Sequence, residues 1–311
     1  MYSNFAAWYS ARQEVGREQV DRLLLRLGIG LLMGLFGLIT YCTNVVTNPV
    51  TGEKQRVQLS PQQEVVLGQR SRSKMAAQHG GLYQDPALQK YVNQVGQRIV
   101  DRSEASKAPS ANSRYPFQFY LLSDPQTINA FALPGGPVFI TVALFKRLKS
   151  EAQLAGVLGH EIGHVVGRHG AEHLAKQQLG ATLVNAVGIA ASDNPRDAQQ
   201  AAALAQAVTQ LVSLRYGRAD ELESDQLGFR FITQAGYNPQ GIVELMQILG
   251  ASRQGGSAQP EFFSTHPNPE NRVERLKQLI TQAYPNGVPA NLEEGRDKFT
   301  KSVLPRLQGQ S

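Results

Sequence analysis

The segment His160-Glu161-Ile162-Gly163-His164 places two histidines four residues apart with a glutamate after the first. It follows Ser150-Glu151-Ala152-Gln153, a capping-box pattern that predicts the start of a helix. Residues four apart lie on one face of a helix, so His160 and His164 can offer two imidazole nitrogens to one tetrahedral metal ion. Glu161 is rotated by about 100° from His160, which suits a general base beside the metal. The plain alternative is an amphipathic helix with two hydrogen-bonded structural histidines.

A catalytic zinc site needs a third protein ligand. In the metzincin pattern this would be a histidine two turns further on, but that position is Gly170 and the histidine falls one residue early, at His169. On a continued helix His169 points about 180° and His173 about 220° away from His160, so we expect both to be surface or structural residues. Gly170 is expected to close the helix in the left-handed conformation.

A carboxylate further along the chain is the better candidate, in the segment Glu221-Leu222-Glu223-Ser224-Asp225 on a predicted helix. Glu221 and Asp225 are four apart and share one face. Glu221 can bind the metal, while Asp225 accepts the free N–H of a ligand histidine. Glu223 points about 200° away from Glu221 and is expected to be a solvated charge.

The predicted fold class is α+β, mainly helical, with a small sheet of three or four strands beside the active-site helix. Strand candidates are Phe117–Leu122, Ile128–Ala132 and Pro137–Thr141, and Leu133-Pro134-Gly135-Gly136 predicts a hairpin turn between the last two. The other predicted helices are Pro61–Gln78, Pro86–Ser103, 171–191, 196–215, Arg218–Gln234, Pro239–Leu249 and Asn271–Ala283, with a flexible loop at 252–259.

The N-terminal segment is apolar from Leu23 to Cys42 except for Arg26, and further arginines precede it. Its length lies between a signal-peptide core and a full membrane span. Three alternatives stay open: a signal-anchor helix, a lipoprotein signal ending at Cys42, and either a simple cleaved signal or a buried core helix. We therefore expect a signal or anchor over 1–42, a linker over 43–60, the main domain over 61–285 and a C-terminal extension over 286–311.

The net charge is +6, but the basic residues are scattered and no aromatic residues accompany them in a stripe. Nucleic acid is therefore not an expected partner. The favoured explanation of the excess charge is an ordinary solvated surface that happens to be basic, and attraction to an anionic membrane is the alternative.

Four motifs, in this order, resemble those of the membrane-linked gluzincin peptidases, which include HtpX, the type-1 CAAX prenyl proteases and the BepA-like periplasmic proteases. They are Asn129-Ala130-Phe131-Ala132-Leu133-Pro134-Gly135-Gly136, the His-Glu-x-x-His segment, the Glu-x-x-x-Asp segment, and Thr265-His266-Pro267 followed by Arg272. The match covers about residues 60–283.

The resemblance implies a zincin-like metallopeptidase domain that binds one zinc ion per chain. The implied zinc ligands are His160, His164 and Glu221, with Glu161 as the catalytic base and Asp225 behind a ligand histidine. His266 and Arg272 would lie close to the zinc, where they either stabilise the tetrahedral intermediate or cap the metal in a resting state. The edge strand Asn129, Ala130, Phe131 and Ala132 would pair with an extended substrate.

The expected function is zinc-dependent cleavage of unfolded or damaged polypeptides in the bacterial cell envelope, with the N-terminal segment at the membrane and the catalytic domain on the periplasmic side. At most one membrane helix is expected. The chain would therefore lack the membrane chamber of the prenyl proteases, and we do not expect it to process prenylated peptides. Unlike the BepA-like proteins, the chain shows no obvious C-terminal helical-repeat domain. The alternatives are a proteolytically silent zinc-bearing chaperone or scaffold and a zinc hydrolase that is not a peptidase. The presence of Glu161 argues against the first, and the hairpin argues against the second.

Overall fold

The computed structural model describes residues 2–110, 113–191, 216–254, 261–266 and 271–308. The predicted helix 196–215 and most of the predicted loop 252–259 lie outside these residues. The chain divides into two compact units. The first comprises Met1–Val45, Arg56–Gln58 and His173–Leu214, and the second comprises Val46–Gln55, Leu59–Glu172 and Arg215–Ser311.

The described elements confirm a mainly helical α+β chain. In chain order the helices are α1 (Tyr2–Thr43), α2 (Pro61–Gln78), α3 (Pro86–Arg102), α4 (Val142–Phe145), α5 (Glu151–Val166), α6 (His169–Ala191), α7 (Arg218–Gln234), α8 (Gln240–Gln254), α9 (Phe262–Thr265), α10 (Arg272–Ala283) and α11 (Arg296–Gln308), with a 3-10 turn at Glu104–Lys107. The strands are β1 (Val45–Thr47), β2 (Lys54–Arg56), β3 (Pro109–Ser110), β4 (Ser113–Arg114), β5 (Gln118–Leu122), β6 (Ala130–Ala132) and β7 (Pro137–Thr141).

The largest described sheet has three strands in the order β5-β7-β6. Strand β7 runs parallel to β5 and antiparallel to β6, with Phe131 opposite Phe139. The predicted hairpin between β6 and β7 is confirmed. Gly135 and Gly136 take positive φ angles of 79° and 126°, which residues with a side chain rarely adopt. Strand β6 therefore lies at the edge of this sheet, beside a central β7 that is buried along its whole length.

Helix α5 is buried along its whole length and packs closely against α7. Small residues at the contact allow this approach: a Cβ on Gly163 would lie 2.9 Å from the backbone oxygen of Ser224, and a Cβ on Gly228 would lie 3.0 Å from the backbone nitrogen of His160. The absence of side chains at these glycines brings the histidine-bearing helix next to the helix that carries Glu221 and Asp225.

The end of α5 differs from the prediction. The helix ends at Val166, and the left-handed residue is Arg168, with a φ angle of 56°. Gly170 lies inside α6 instead, so the prediction that it closes the helix is wrong. Arg168 is held in this conformation by its Nε and Nη2 atoms, which donate at 2.9 and 2.7 Å to Oε1 of the buried Glu64. Angles calculated on one continuous helix therefore do not apply to residues beyond this break.

Part of the segment expected to be a linker is folded. Strands β1 and β2 pair there, and the side chains of Asn48 and Gln55 are buried. Nδ2 of Asn48 donates to the carbonyl of Val166 at 2.7 Å, and Nε2 of Gln55 donates to the carbonyl of Gly167. These amides satisfy carbonyl groups that the end of α5 leaves without helical partners.

The C-terminal helix α11 contributes Phe299, Val303 and Leu307 to the main core. Nζ of Lys298 also donates to the buried Glu151 at 2.9 Å. We therefore propose that the main domain extends through α11 and does not stop at residue 285.

Phe299→Ala is expected to lower the free energy of unfolding by about 3–5 kcal/mol, because it leaves a cavity next to Tyr91 and Phe145. Urea-induced unfolding followed by circular dichroism measures the change. Lys301→Ala, on the exposed side of the same helix, is the matched control. A loss for Phe299→Ala that equals the control would place α11 outside the core.

Candidate metal centre

The two histidines of α5 point their Nε2 atoms at one place. These atoms lie 3.2 Å apart, and both side chains are buried. Their spacing of four along a helix explains the arrangement, since it places the two side chains one turn apart on the same face, with ring centroids 4.8 Å apart. The structure thus brings His160 and His164 together in the manner that a shared metal ion requires.

Glu221 on α7 faces both histidines. Its Oε2 lies 3.5 Å from Nε2 of His160, and its Oε1 lies 3.4 Å from Nε2 of His164. His266, which follows α9, brings its Nδ1 to 2.9 Å from Oε1 of Glu221. All four residues are buried, and one donor atom from each lies within 4.8 Å of the others.

This donor set fits zinc, which prefers imidazole nitrogen and carboxylate oxygen in tetrahedral sites. Glu161 supplies a second observation. Both of its carboxylate oxygens are buried, and among the described residues neither has a hydrogen-bond partner. A carboxylate buried in this way is costly unless a ligand or water completes its surroundings. Burial raises the pKa of Glu161, which suits a group that accepts a proton.

Asp225 and Arg272 form a charged layer behind the ligands. Oδ1 of Asp225 lies 3.0 Å from Nδ1 of His160, as the sequence predicts for a supporting carboxylate. Arg272 donates from Nε to Asp225 Oδ2 at 2.7 Å and from Nη1 to Glu221 Oε2 at 2.9 Å. The guanidinium is therefore engaged with two carboxylates, and it offsets their buried charge.

These contacts set the protonation of the metal-free site. Burial lowers the pKa of His160, but hydrogen bonds to Asp225 and Glu221 outweigh it and raise that pKa to about 9. Burial raises the pKa of Glu221, but His266 and the two α5 histidines outweigh it and hold that pKa well below its ordinary value. At neutral pH His160 therefore carries a proton that a metal ion must displace.

Zinc binding at pH 7 is expected to release about one proton from His160, because its raised pKa keeps it protonated in the metal-free protein and only the free nitrogen binds metal. The release should decline towards zero as the pH rises past 9. Calorimetric titration in two buffers of different ionisation enthalpy counts the protons. A count of zero at pH 7 would contradict this assignment.

His266 lies on the side of the four-residue donor set that is nearest Glu161. Its Nε2 lies 3.7 Å from Oε1 of Glu161 and has no hydrogen-bond partner in the described parts of the chain. The ring stacks on Phe262, with centroids 4.4 Å apart. Whether His266 caps the metal or stabilises the tetrahedral intermediate stays a prediction.

A model of peptidase family M48 matches residues 86–280, a range that contains every residue of this cluster. The chain belongs to peptidase family M48. Metallopeptidases of this family depend on zinc.

Relatives named beta-barrel assembly-enhancing protease are 35% identical over 245 residues in Yersinia pestis and 32% identical over 240 residues in Escherichia coli K12. The matches cover 76% and 72% of this chain and 48% of each relative, so the chain spans about half the length of these proteins. A mitochondrial metalloendopeptidase OMA1 from Schizosaccharomyces pombe is 27% identical over 251 residues, covering 79% of this chain and 70% of the relative.

Two residues of this M48 chain lie elsewhere than predicted. His169 is fully buried, and its Nδ1 lies 2.9 Å from Nδ1 of His164. Its Nε2 lies 3.0 Å from Oε2 of Glu223, so the prediction that Glu223 is a solvated charge is wrong. The break at Arg168 turns His169 back towards the site, whereas a continued helix would carry it away. His173, further along α6, is half-buried.

Tyr216 has no signal in the sequence that would single it out. It lies two residues before the start of α7, and its ring stacks on His164 with centroids 4.0 Å apart. The contact depends on where the chain enters α7, which residue type and spacing do not reveal.

Strand β6 and the turn after it lie beside the candidate metal site of the M48 domain. Ala132, Leu133 and Pro134 line a small cavity together with His164 and Tyr216. Asn129 precedes β6, and its backbone N–H donates to Oγ1 of Thr141 at 3.1 Å. Among the described strands, β6 pairs only with β7, which leaves its other edge facing away from the sheet.

Proposed function

We propose that this M48 chain is a zinc-dependent endopeptidase that cleaves unfolded or damaged proteins of the bacterial envelope. The observation that carries the proposal is the buried carboxylate of Glu161, which has no hydrogen-bond partner among the described residues and lies beside the donor set of His160, His164 and Glu221. A structural metal site has no need for such a carboxylate, whereas peptide hydrolysis needs a base there.

His160, His164 and Glu221 would hold the metal, and His266 would be a fourth ligand in a resting state. Zinc bound there polarises a carbonyl group and makes water more acidic. Glu161 takes a proton from the attacking water and passes it to the leaving amine. Arg272 keeps Glu221 and Asp225 in place by its hydrogen bonds. His266 lies close to Glu161, so after leaving the metal it would still face the reacting carbonyl.

The substrate would bind as an extended strand along β6. Pairing of this kind reads the backbone, so it accepts many sequences but requires a segment that is already unfolded. The position of β6 at the sheet edge, beside the cavity that reaches His164, supports this mode. The relatives, a beta-barrel assembly-enhancing protease and a mitochondrial metalloendopeptidase, support a proteolytic function.

The N-terminal helix would anchor the enzyme. Arg17–Thr43 is long and apolar enough to cross a membrane, and side chains such as Leu32 and Phe36 are 66% and 72% exposed, which argues against a buried core helix. Its glycines fit closely on α6: a Cβ on Gly30 would lie 2.6 Å from the backbone oxygen of Ala186. A packing partner within the chain supports a retained anchor over a signal removed before Cys42.

Mass spectrometry of the purified mature protein tests the anchor. A retained anchor predicts a mature N-terminus upstream of Leu23 and an unmodified Cys42. A mature N-terminus at a lipidated Cys42 would contradict it, and so would an N-terminus generated by ordinary cleavage.

The activity is tested with the full chain in detergent micelles, loaded with zinc and given unfolded casein. The proposal predicts cleavage that a chelator abolishes and added zinc restores. His266→Ala is assayed in parallel, because a resting state capped by His266 would suppress the wild type. Absence of cleavage by both proteins would overturn the proposal and favour a silent chaperone or scaffold. Hydrolysis of small esters without any peptide cleavage would favour a zinc hydrolase of another class.

A further inference from the structure

The side of His164 that faces away from the metal cluster contacts a second imidazole. Its Nδ1 lies 2.9 Å from Nδ1 of His169, and Nε2 of His169 lies 3.0 Å from Oε2 of Glu223. His164 and His169 are almost completely buried, and the Glu223 side chain is 22% exposed. The three side chains therefore form a continuous line from the metal cluster towards the surface.

The chemistry of the last member sets the direction of the hydrogen bonds. An ionised carboxylate can only accept, so Nε2 of His169 donates to Glu223. A neutral imidazole that donates from one nitrogen accepts at the other, so Nδ1 of His169 accepts from His164. His164 then carries its proton on Nδ1, and its Nε2 is left with the free electron pair that a metal ion needs.

The support given to His160 is different. Its Nδ1 contacts Asp225 directly, at 3.0 Å, within the Glu-x-x-x-Asp pattern. For His164, the structure uses an additional histidine that only the left-handed Arg168 brings into reach. The two metal-binding histidines are therefore oriented by separate carboxylates on one helix, one directly and one through an imidazole.

We propose that His169 and Glu223 are positioning residues, forming a hydrogen-bond relay that holds His164 in its metal-binding tautomer and orientation. The proposal rests on the metal site of the proposed function, but it does not depend on proteolysis. His169 touches neither metal nor substrate, and it acts only through His164.

The test is zinc affinity, measured by competition with a chelator on the full chain. His169→Phe keeps a ring of similar shape but cannot accept the hydrogen bond, and Glu223→Gln keeps the volume but no longer fixes the direction of the relay. Each variant is expected to bind zinc about 10- to 100-fold more weakly, the range found when the outer partner of a ligand histidine is lost. The metal-free proteins should unfold at temperatures close to that of the wild type.

The double variant separates a relay from two independent contributions. In a relay, Glu223 acts only through His169, so the double variant should bind zinc no more weakly than His169→Phe alone. Multiplying losses would overturn the relay, and so would affinities for both single variants equal to that of the wild type.

The matched control is His79→Gln, which disrupts another largely buried pair, with Nδ1 of His79 3.3 Å from Oδ2 of Asp124. It should leave zinc affinity unchanged. An equal loss of zinc affinity in this control would mean that the relay variants act through general destabilisation, and it would overturn the proposal. Because zinc binding is what is measured, the two proposals can fail separately. A chain that binds zinc but fails to cleave casein would contradict the proposed function, and the relay could still be tested.

Discussion

Glu161→Gln is expected to lower the rate of casein cleavage by about 10²- to 10⁴-fold while zinc remains bound. The variant keeps the volume of the side chain but removes the oxygen that accepts a proton from water. The carboxylate has no hydrogen-bond partner among the described residues, so the substitution breaks no hydrogen bond there. Initial rates on unfolded casein, at equal zinc content, measure the effect.

The control for this change is Glu274→Gln, an exposed position on α10. It should cleave casein at the wild-type rate. If Glu161→Gln also keeps the wild-type rate, then Glu161 is not the base, and the buried carboxylate has another explanation.

The Glu221→Ala variant is expected to bind less than one zinc ion per chain. The change removes the carboxylate that faces Nε2 of both His160 and His164. It also leaves Asp225 as the remaining carboxylate paired with Arg272 among the described residues, and breaking a buried pair of this kind costs about 3–5 kcal/mol. Metal analysis by mass spectrometry gives the zinc content, and thermal unfolding gives the stability.

Glu221→Gln separates these two consequences, since it keeps the volume of the side chain and can still accept a hydrogen bond from Arg272. It should fold more stably than Glu221→Ala and still bind zinc more weakly than the wild type. Retention of one zinc per chain in Glu221→Ala would remove Glu221 from the ligand set.

The residues that could be placed from the sequence are those whose positions follow local periodicity. A spacing of four on a helix puts His160 above His164 and Glu221 above Asp225, whatever surrounds them. The hairpin at Leu133–Gly136 is similarly local, because proline and two glycines permit little else. The parallel pairing of β5 with β7 is not local, and the sequence predicted the strands without their order.

His169 and Glu223 could not be placed because their positions depend on a single backbone conformation. One left-handed residue, Arg168, ends α5, and it is fixed by a carboxylate that lies far away in the sequence, on α2. Helical angles counted across that residue point His169 in the wrong direction. The burial of Asn48 and Gln55 could not be predicted for a similar reason. Their amides donate to the carbonyls at the same helix end, but their segment has the composition of a polar linker.

The most direct test of the metal centre is anomalous X-ray diffraction at the zinc edge, on crystals of the zinc-loaded Glu161→Gln variant. We expect one strong peak, at about 2.0–2.2 Å from Nε2 of His160, Nε2 of His164 and a carboxylate oxygen of Glu221. A peak elsewhere in the chain, or zinc bound without both histidines and Glu221, would rule out this metal centre.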